Sequence, residues 1–255
     1  MRRMLVTLLL VPVLAYVALC AMLFLAQRKL VYLPDYTHVP RAGTDYALDR
    51  DDVTLRGWIV NPGRPAAIVY FGGNAEAVQA NAGDFARWFP GHSVYLLAYR
   101  GYGASDGTPA ASELLDDALA FFDDVQTRHP GKPVSAIGRS LGSGIAAHVA
   151  ARRPVDRLVL VTPFDSLANV AQAHYPWLPV RWLMRERYPA VDALRDYPRP
   201  VLVLRAGRDE VIPGANTDAL LRVLPRAGVV SIQAAGHNDL HASPAYGEAM
   251  AAFLR

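Results

Sequence analysis

Two hydrophobic patterns divide the chain. Met4 to Ala26 (MLVTLLLVPVLAYVALCAMLFLA) is 23 positions without a charge. After it, short apolar runs alternate with amphipathic stretches. Val53–Val60, Ala66–Phe71, Val94–Tyr99, Val134–Ile137, Arg157–Val161, Val201–Leu204 and Val229–Ala234 read as strands, several bounded by Gly, Pro or Asn. Helical sequence is expected over Ala75–Trp88, Ser112–Arg128, Gly144–Ala151, Thr217–Leu224 and Ala245–Leu254. In Ser112–Arg128 a Ser112-Glu113 start precedes an apolar face of Leu115, Leu119, Phe122 and Val125. Strands alternating with helices predict βαβ units, hence a mainly parallel α/β sheet with helices on both faces. Gln27–Tyr46 reads as a proline-punctuated connector. The one long connection, about 165–199, follows the strand after Gly138–Gly142 and is placed as a short lid of one or two helices. The predicted division is an anchor over 1–27 and one catalytic-sized domain over 28–255.

The first pattern has a membrane length. At ~1.5 Å per residue it spans ~30 Å of hydrocarbon with some tilt. A retained transmembrane helix is expected, with the lipid bilayer as partner. A cleaved signal peptide is the rival, but its apolar core is usually ~7–15 residues and ends at a small-x-small site. No good site ends this run. A lipoprotein reading of Cys20 meets bulky Leu19 where a small residue belongs. Arg2 and Arg3 balance Arg28 and Lys29, so flanking charge does not set orientation. The very short basic head places the following domain on the non-cytoplasmic side. Cys20 is the only cysteine, so the domain has no disulfide and no cysteine metal site.

Composition removes other classes. At 255 residues, one substantial core is the default. The net charge is +3, carried almost entirely by arginine, with lysine only at 29 and 132. No basic run is present, and nucleic acid is not an expected partner.

Candidate chemistry centres on Gly138-Arg139-Ser140-Leu141-Gly142, between a predicted strand and a predicted helix. In a strand–turn–helix of this kind the serine is held exposed on a sharp turn. Side chains two residues to either side would collide, hence the glycines. Asp209 and His237 follow at intervals of 69 and 28 residues, each just past a predicted strand end. Serine hydroxyl is a poor nucleophile at neutral pH. A neutral imidazole removes its proton and later returns it to the leaving group, and a carboxylate fixes the imidazole tautomer. Glu210 and Asp239 stay open as alternative acids. His38, His92, His129, His148, His174 and His241 read as surface or packing residues. Such chemistry needs no metal and no cofactor.

The chain resembles the membrane-anchored BEM46-like group of the α/β-hydrolase superfamily. The resemblance is carried by Tyr99–Gly107 (YRGYGASDG), Gly138–Gly142, Gly207–Pro213 (GRDEVIP), Gly236–Asp239 (GHND), and the anchor with its Gln27–Tyr32 extension. It implies the α/β-hydrolase fold, with Ser140 as nucleophile, Asp209 as acid and His237 as base. It also implies an oxyanion hole of backbone N–H groups, assigned to Asn74 and Leu141 with Gly73 as the alternative. Gly72 departs from the family's His-Gly-Asn, which puts the packing of that loop in question. The implied activity is hydrolysis of acyl esters or thioesters, of a lysophospholipase-like kind. A peptidase or amidase, or a non-catalytic membrane-bound binding module, are the other readings. Trp177 and Trp182 in the lid are expected to line an acyl pocket.

Overall fold

The computed structural model describes residues 2–255, with side chains from residue 10 onward. Met1 and the side chains of Arg2, Arg3 and Met4–Leu9 therefore lie outside the described residues. Eight strands form one sheet: β1 Tyr46–Asp49, β2 Thr54–Val60, β3 Ala66–Phe71, β4 His92–Leu97, β5 Val134–Arg139, β6 Leu158–Val161, β7 Val201–Ala206 and β8 Gly228–Ile232. Their spatial order is β1-β2-β4-β3-β5-β6-β7-β8. The pairs β1–β2 and β2–β4 are antiparallel, and every later pair is parallel. The alternation predicted this mainly parallel sheet, and the architecture is the α/β-hydrolase fold that the resemblance implies.

Period two within the strands makes two apolar faces. On β3, Ala67, Val69 and Phe71 join one core while Ile68 and Tyr70 join the other. The first core is covered by α3 (Ala111–Arg128), α4 (Leu141–Ala150), α7 (Ala190–Leu194) and α8 (Gly214–Leu221), and the second by α2 (Ala82–Trp88) and α9 (Pro244–Leu254). The remaining helices are α1 (Arg2–Val31), α5 (Leu167–His174) and α6 (Val180–Leu183).

The structure corrects the sequence reading in several places. Strand β1 starts at Tyr46, the last residue of the supposed connector, and runs through Asp49, where no strand was expected. It has four residues, too few for alternation to stand out, and is held by pairing with β2. The stretch from Ala75 is not one helix: a 3₁₀ turn over Val78–Asn81 precedes α2. Helix α3 is turned from its predicted face. It buries Leu114, Asp117, Ala118, Phe121, Phe122 and Val125, leaving Leu115 and Leu119 half-buried. Asp117 tolerates burial because Arg100 binds it bidentately at 2.6 and 2.8 Å. Ser112 does not cap α3; the buried Glu186 carboxylate, 75 residues away, accepts the Ala111 N–H at 2.6 Å.

The span and the lid are also redrawn. Helix α1 runs unbroken to Val31, so the predicted boundary between residues 27 and 28 falls inside a helix. Within it lies a segment long and apolar enough to cross a membrane. Of residues 165–199, only the part through α5 and α6 covers the strand ends. Ala190 and Leu194 of α7 are core residues against the sheet.

Candidate active site

Ser140 stands between β5 and α4 with φ 51° and ψ −118°. Such angles are costly for a residue with a Cβ, and the surrounding structure must enforce them. The glycines make the turn possible. A Cβ on Gly138 would sit 2.3 Å from the Gly142 carbonyl oxygen, and one on Gly142 would sit 2.0 Å from the Phe71 carbonyl oxygen. The turn thus wedges β5, α4 and the end of β3 together.

Ser140 Oγ lies 2.9 Å from His237 Nε2. His237 Nδ1–H donates to the Asp209 carboxylate, with distances of 3.0 and 2.9 Å to its two oxygens. A carboxylate only accepts, so the proton sits on Nδ1 and leaves Nε2 free to accept from the serine. Asp209 is fixed in turn, as Oδ1 accepts from the N–H groups of Val211 and Ile212 at 2.9 and 2.7 Å. The two alternative acids are elsewhere: Glu210 is exposed, and Asp239 Oδ1 accepts the Gly236 N–H at 2.6 Å. Three strand ends bring these groups together, because β5, β6, β7 and β8 are neighbours and point the same way.

Beside the serine, Asn74 and Leu141 border the same cavity. Gly73 is drawn away, since its N–H donates to Glu76 Oε2 at 2.7 Å. Glu76 is the hub of a small network that sequence reasoning missed. Its Oε1 accepts from the Tyr70 hydroxyl at 2.6 Å and from Asn81 Nδ2 at 2.7 Å, and Arg139 Nη1 lies 3.2 Å from Oε2. Burial raises the Tyr70 pKa well above its usual value, so its hydroxyl remains a donor. Burial works against the Arg139 charge, but Glu76 together with Tyr70 and Tyr246 outweighs it, and the Arg139 pKa is raised. The network explains Gly72. A Cβ there would meet Val78 Cγ1 at 2.6 Å and the Glu76 carboxylate at 3.3 Å, so the space for a histidine side chain is taken. The only sequence hint was a charge inside the elbow, at Arg139, near an acid two residues after Asn74.

The serine opens into a cavity of about 480 Å³, within the ~300–1,000 Å³ of small-molecule sites. Phe164, Val170, Leu178, Leu183 and Met184 are among its lining residues, and none of the described residues that line it is charged. Trp177 and Trp182 do not line it. They stand 58% and 88% exposed on the outer side of the lid, which corrects the expectation that they form the pocket. In their place the wall includes Leu23, Phe24, Gln27, Leu30 and Val31 of α1, residues read beforehand only as span and connector. The lid is pinned at its root by buried Asp165, whose oxygens accept from Asn216 Nδ2 and Asn169 Nδ2 at 2.8 and 2.6 Å.

Fold and site together are those of an α/β-hydrolase. The family described as serine aminopeptidase, S33, matches residues 64–197, just over half of the chain, and the chain belongs to this hydrolase family. An uncharacterized protein of Mycobacterium tuberculosis, Rv2307c, is 34% identical over 249 residues, covering 89% of this chain and 88% of that protein. Lysophosphatidylserine lipase ABHD12 of Danio rerio is 30% identical over 141 residues, 48% of this chain and 37% of that protein. Among solved structures, the Pyrococcus furiosus esterase Pf2001 shares the fold with a TM-score of 0.67 at 16% identity, covering 83% of this chain and 90% of that one.

Proposed function

We propose that the protein is a membrane-tethered serine hydrolase of the BEM46-like kind, cleaving carboxylic esters or thioesters of acyl lipids. The observation that carries this is the Ser140–His237–Asp209 hydrogen-bonded chain, whose Ser140 lines a cavity with no charged residue among its described lining. His237 Nε2 takes the Ser140 proton as Oγ attacks the acyl carbonyl. The N–H groups of Leu141 and Asn74 receive the oxyanion. His237 then protonates the leaving alcohol or thiol, and a water activated by the same imidazole frees the acid from the acyl-enzyme. Asp209 keeps the imidazole in the tautomer that accepts from Ser140.

The lining argues for ester over peptide. An aminopeptidase must neutralise the α-ammonium of its substrate, and burying that charge without a partner is costly. The described residues of this cavity supply no carboxylate. An acyl chain asks for none. The partial likeness to a protein named as a lysophosphatidylserine lipase agrees with a lipid substrate. The apolar length of α1 agrees with a retained anchor.

The test is a fluorophosphonate probe on the full chain and on Ser140→Ala. Wild type should label and the variant should not. Labelling of both, or of neither, overturns the assignment.

A further inference from the structure

Helix α1 changes character along its length. From Leu10 to Ala18 every side chain is exposed. From Leu23 onward one face turns inward: Leu23, Gln27 and Val31, spaced by four, line the cavity with Phe24. Leu25 points away and is 81% exposed.

Both ends of this wall are tied to the domain. At the inner end the Val31 carbonyl accepts from Asn74 Nδ2 at 3.1 Å, which sets the helix terminus against the loop beside Ser140. Further out, Gln27 Oε1 accepts the Arg185 N–H at 2.7 Å, and the Arg185 guanidinium lies 4.5 Å from the Phe24 ring centroid. Farther still, the Tyr16 hydroxyl donates to the Trp177 carbonyl at 2.8 Å. The Gln27 amide also donates to the Phe24 carbonyl, so the one polar side chain of this wall has its partners within the protein. At ~1.5 Å per residue, Val31 to Leu23 gives the wall a length of about 12 Å toward the exposed apolar stretch. The opposite wall is α5, α6 and the residues around them, including Val170, Leu178 and Leu183.

We propose that α1 is the acyl guide of the enzyme: one acyl chain of a bilayer lipid lies along Leu23–Val31, with its carbonyl at Ser140 and its methyl end toward the membrane. This rests on the serine-hydrolase reading above. A chain drawn inward along α1 passes from hydrocarbon to an apolar cavity and never exposes its methylenes to water, which is the unfavourable step in extracting a lipid. Leu23, Phe24, Gln27 and Val31 are then specificity-determining residues, and the anchor is part of the substrate site.

The test uses the full chain in lipid nanodiscs with p-nitrophenyl esters from acetate to palmitate. Leu23→Trp fills the outer part of the wall and should lower the long-chain to short-chain ratio of kcat/KM by about tenfold or more. Leu25→Trp, on the other face, should leave that ratio unchanged. An unchanged ratio in Leu23→Trp, or an equal drop in both variants, overturns the guide. A second arm needs no turnover. Ser140→Ala is irradiated in phosphatidylcholine vesicles with a monoacylglycerol carrying a diazirine at its chain end. Crosslinks within residues 23–31 that excess unlabelled monoacylglycerol suppresses support the guide, and their absence there overturns it. Fluorophosphonate labelling of wild type reports separately on the catalytic reading, so the two failures are distinguishable.

Discussion

Glu76 holds Gly73: its Oε2 accepts the Gly73 amide proton at 2.7 Å, while Arg139, next to the nucleophile, lies 3.2 Å from the same oxygen. One carboxylate therefore ties the loop after β3 to the elbow after β5. Glu76→Ala releases that loop and leaves Arg139 without its partner. The expected result is a fall in kcat of about tenfold to a hundredfold with KM little changed, below the ~10²–10³ of losing an oxyanion donor outright. Glu76→Gln, which still accepts from Gly73, should recover much of the loss. Steady-state kinetics on a soluble short-chain ester separates the two.

Ser140, His237 and Asp209 form one hydrogen-bonded chain, and their substitutions should not add. Ser140→Ala and His237→Ala are each expected to lower kcat by ~10³ or more, with the double variant little worse. Asp209→Asn should be severely impaired because the amide can present the wrong hydrogen-bonding group to Nδ1. Asp239→Asn and Glu210→Gln should stay within a few-fold of wild type. An inactive Asp239→Asn beside an active Asp209→Asn would reassign the acid.

The end of α1 is built into the domain through Glu186. This buried carboxylate accepts from the Tyr32 hydroxyl at 2.5 Å and from Arg28 Nε at 3.2 Å, besides capping α3. Removal of residues 2–18 takes away no side chain described as buried and should leave a folded domain with its short-chain activity. Removal of residues 2–31 strips Arg28 from Glu186 and opens the cavity wall. Its Tm should fall on the order of 5 °C or more relative to the shorter deletion. Scanning calorimetry of the two deletions decides the point, and equal Tm values would contradict it.

His148 makes a modest contribution to pH sensitivity. Burial first, and then the Arg152 guanidinium, push its imidazole down to about 4, with Asp116 opposing. The folded state thus binds this proton less readily than the unfolded state does. Stability from this source is complete above the ordinary histidine value near ~6.5, and it declines as pH falls through the window down to about 4. His148→Gln should lose less stability than wild type between pH 7 and pH 5 in urea unfolding. Equal losses would show that the environment of His148 is not responsible.

Much of this was legible in local sequence. The strand Ala66–Phe71 stands at its predicted limits, and the strand–turn–helix around Ser140 was readable because steric demand at Gly138 and Gly142 is local. Asp209 and His237 were readable as strand-end residues in the order Ser, Asp, His. What escaped were residues whose partners are remote. Asp117 is buried because of Arg100, α3 is capped by Glu186, and Glu76 reaches Arg139 across two strand ends. Hydropathy assigns a charge to solvent, and only a partner supplied by the fold reverses that assignment.

The sequence by itself determined the alternating α/β architecture, the sharp turn that exposes Ser140, the two other residues that meet it, and an apolar helix long enough for a membrane. The architecture and the helix follow from periodicity, the turn from sterics within a few residues, and Asp209 and His237 from their strand-end order together with the motifs that carry the family resemblance. The tertiary structure alone decided which surface forms the cavity. Trp177 and Trp182, apolar enough to have lined it, face outward, while Leu23, Phe24, Gln27 and Val31, more than a hundred residues earlier than Ser140, take that place. The direction in which a side chain points depends on how α1 and the lid pack across the strand ends, and that packing is set by pairs such as Gln27–Arg185 and Val31–Asn74 that no local pattern encodes.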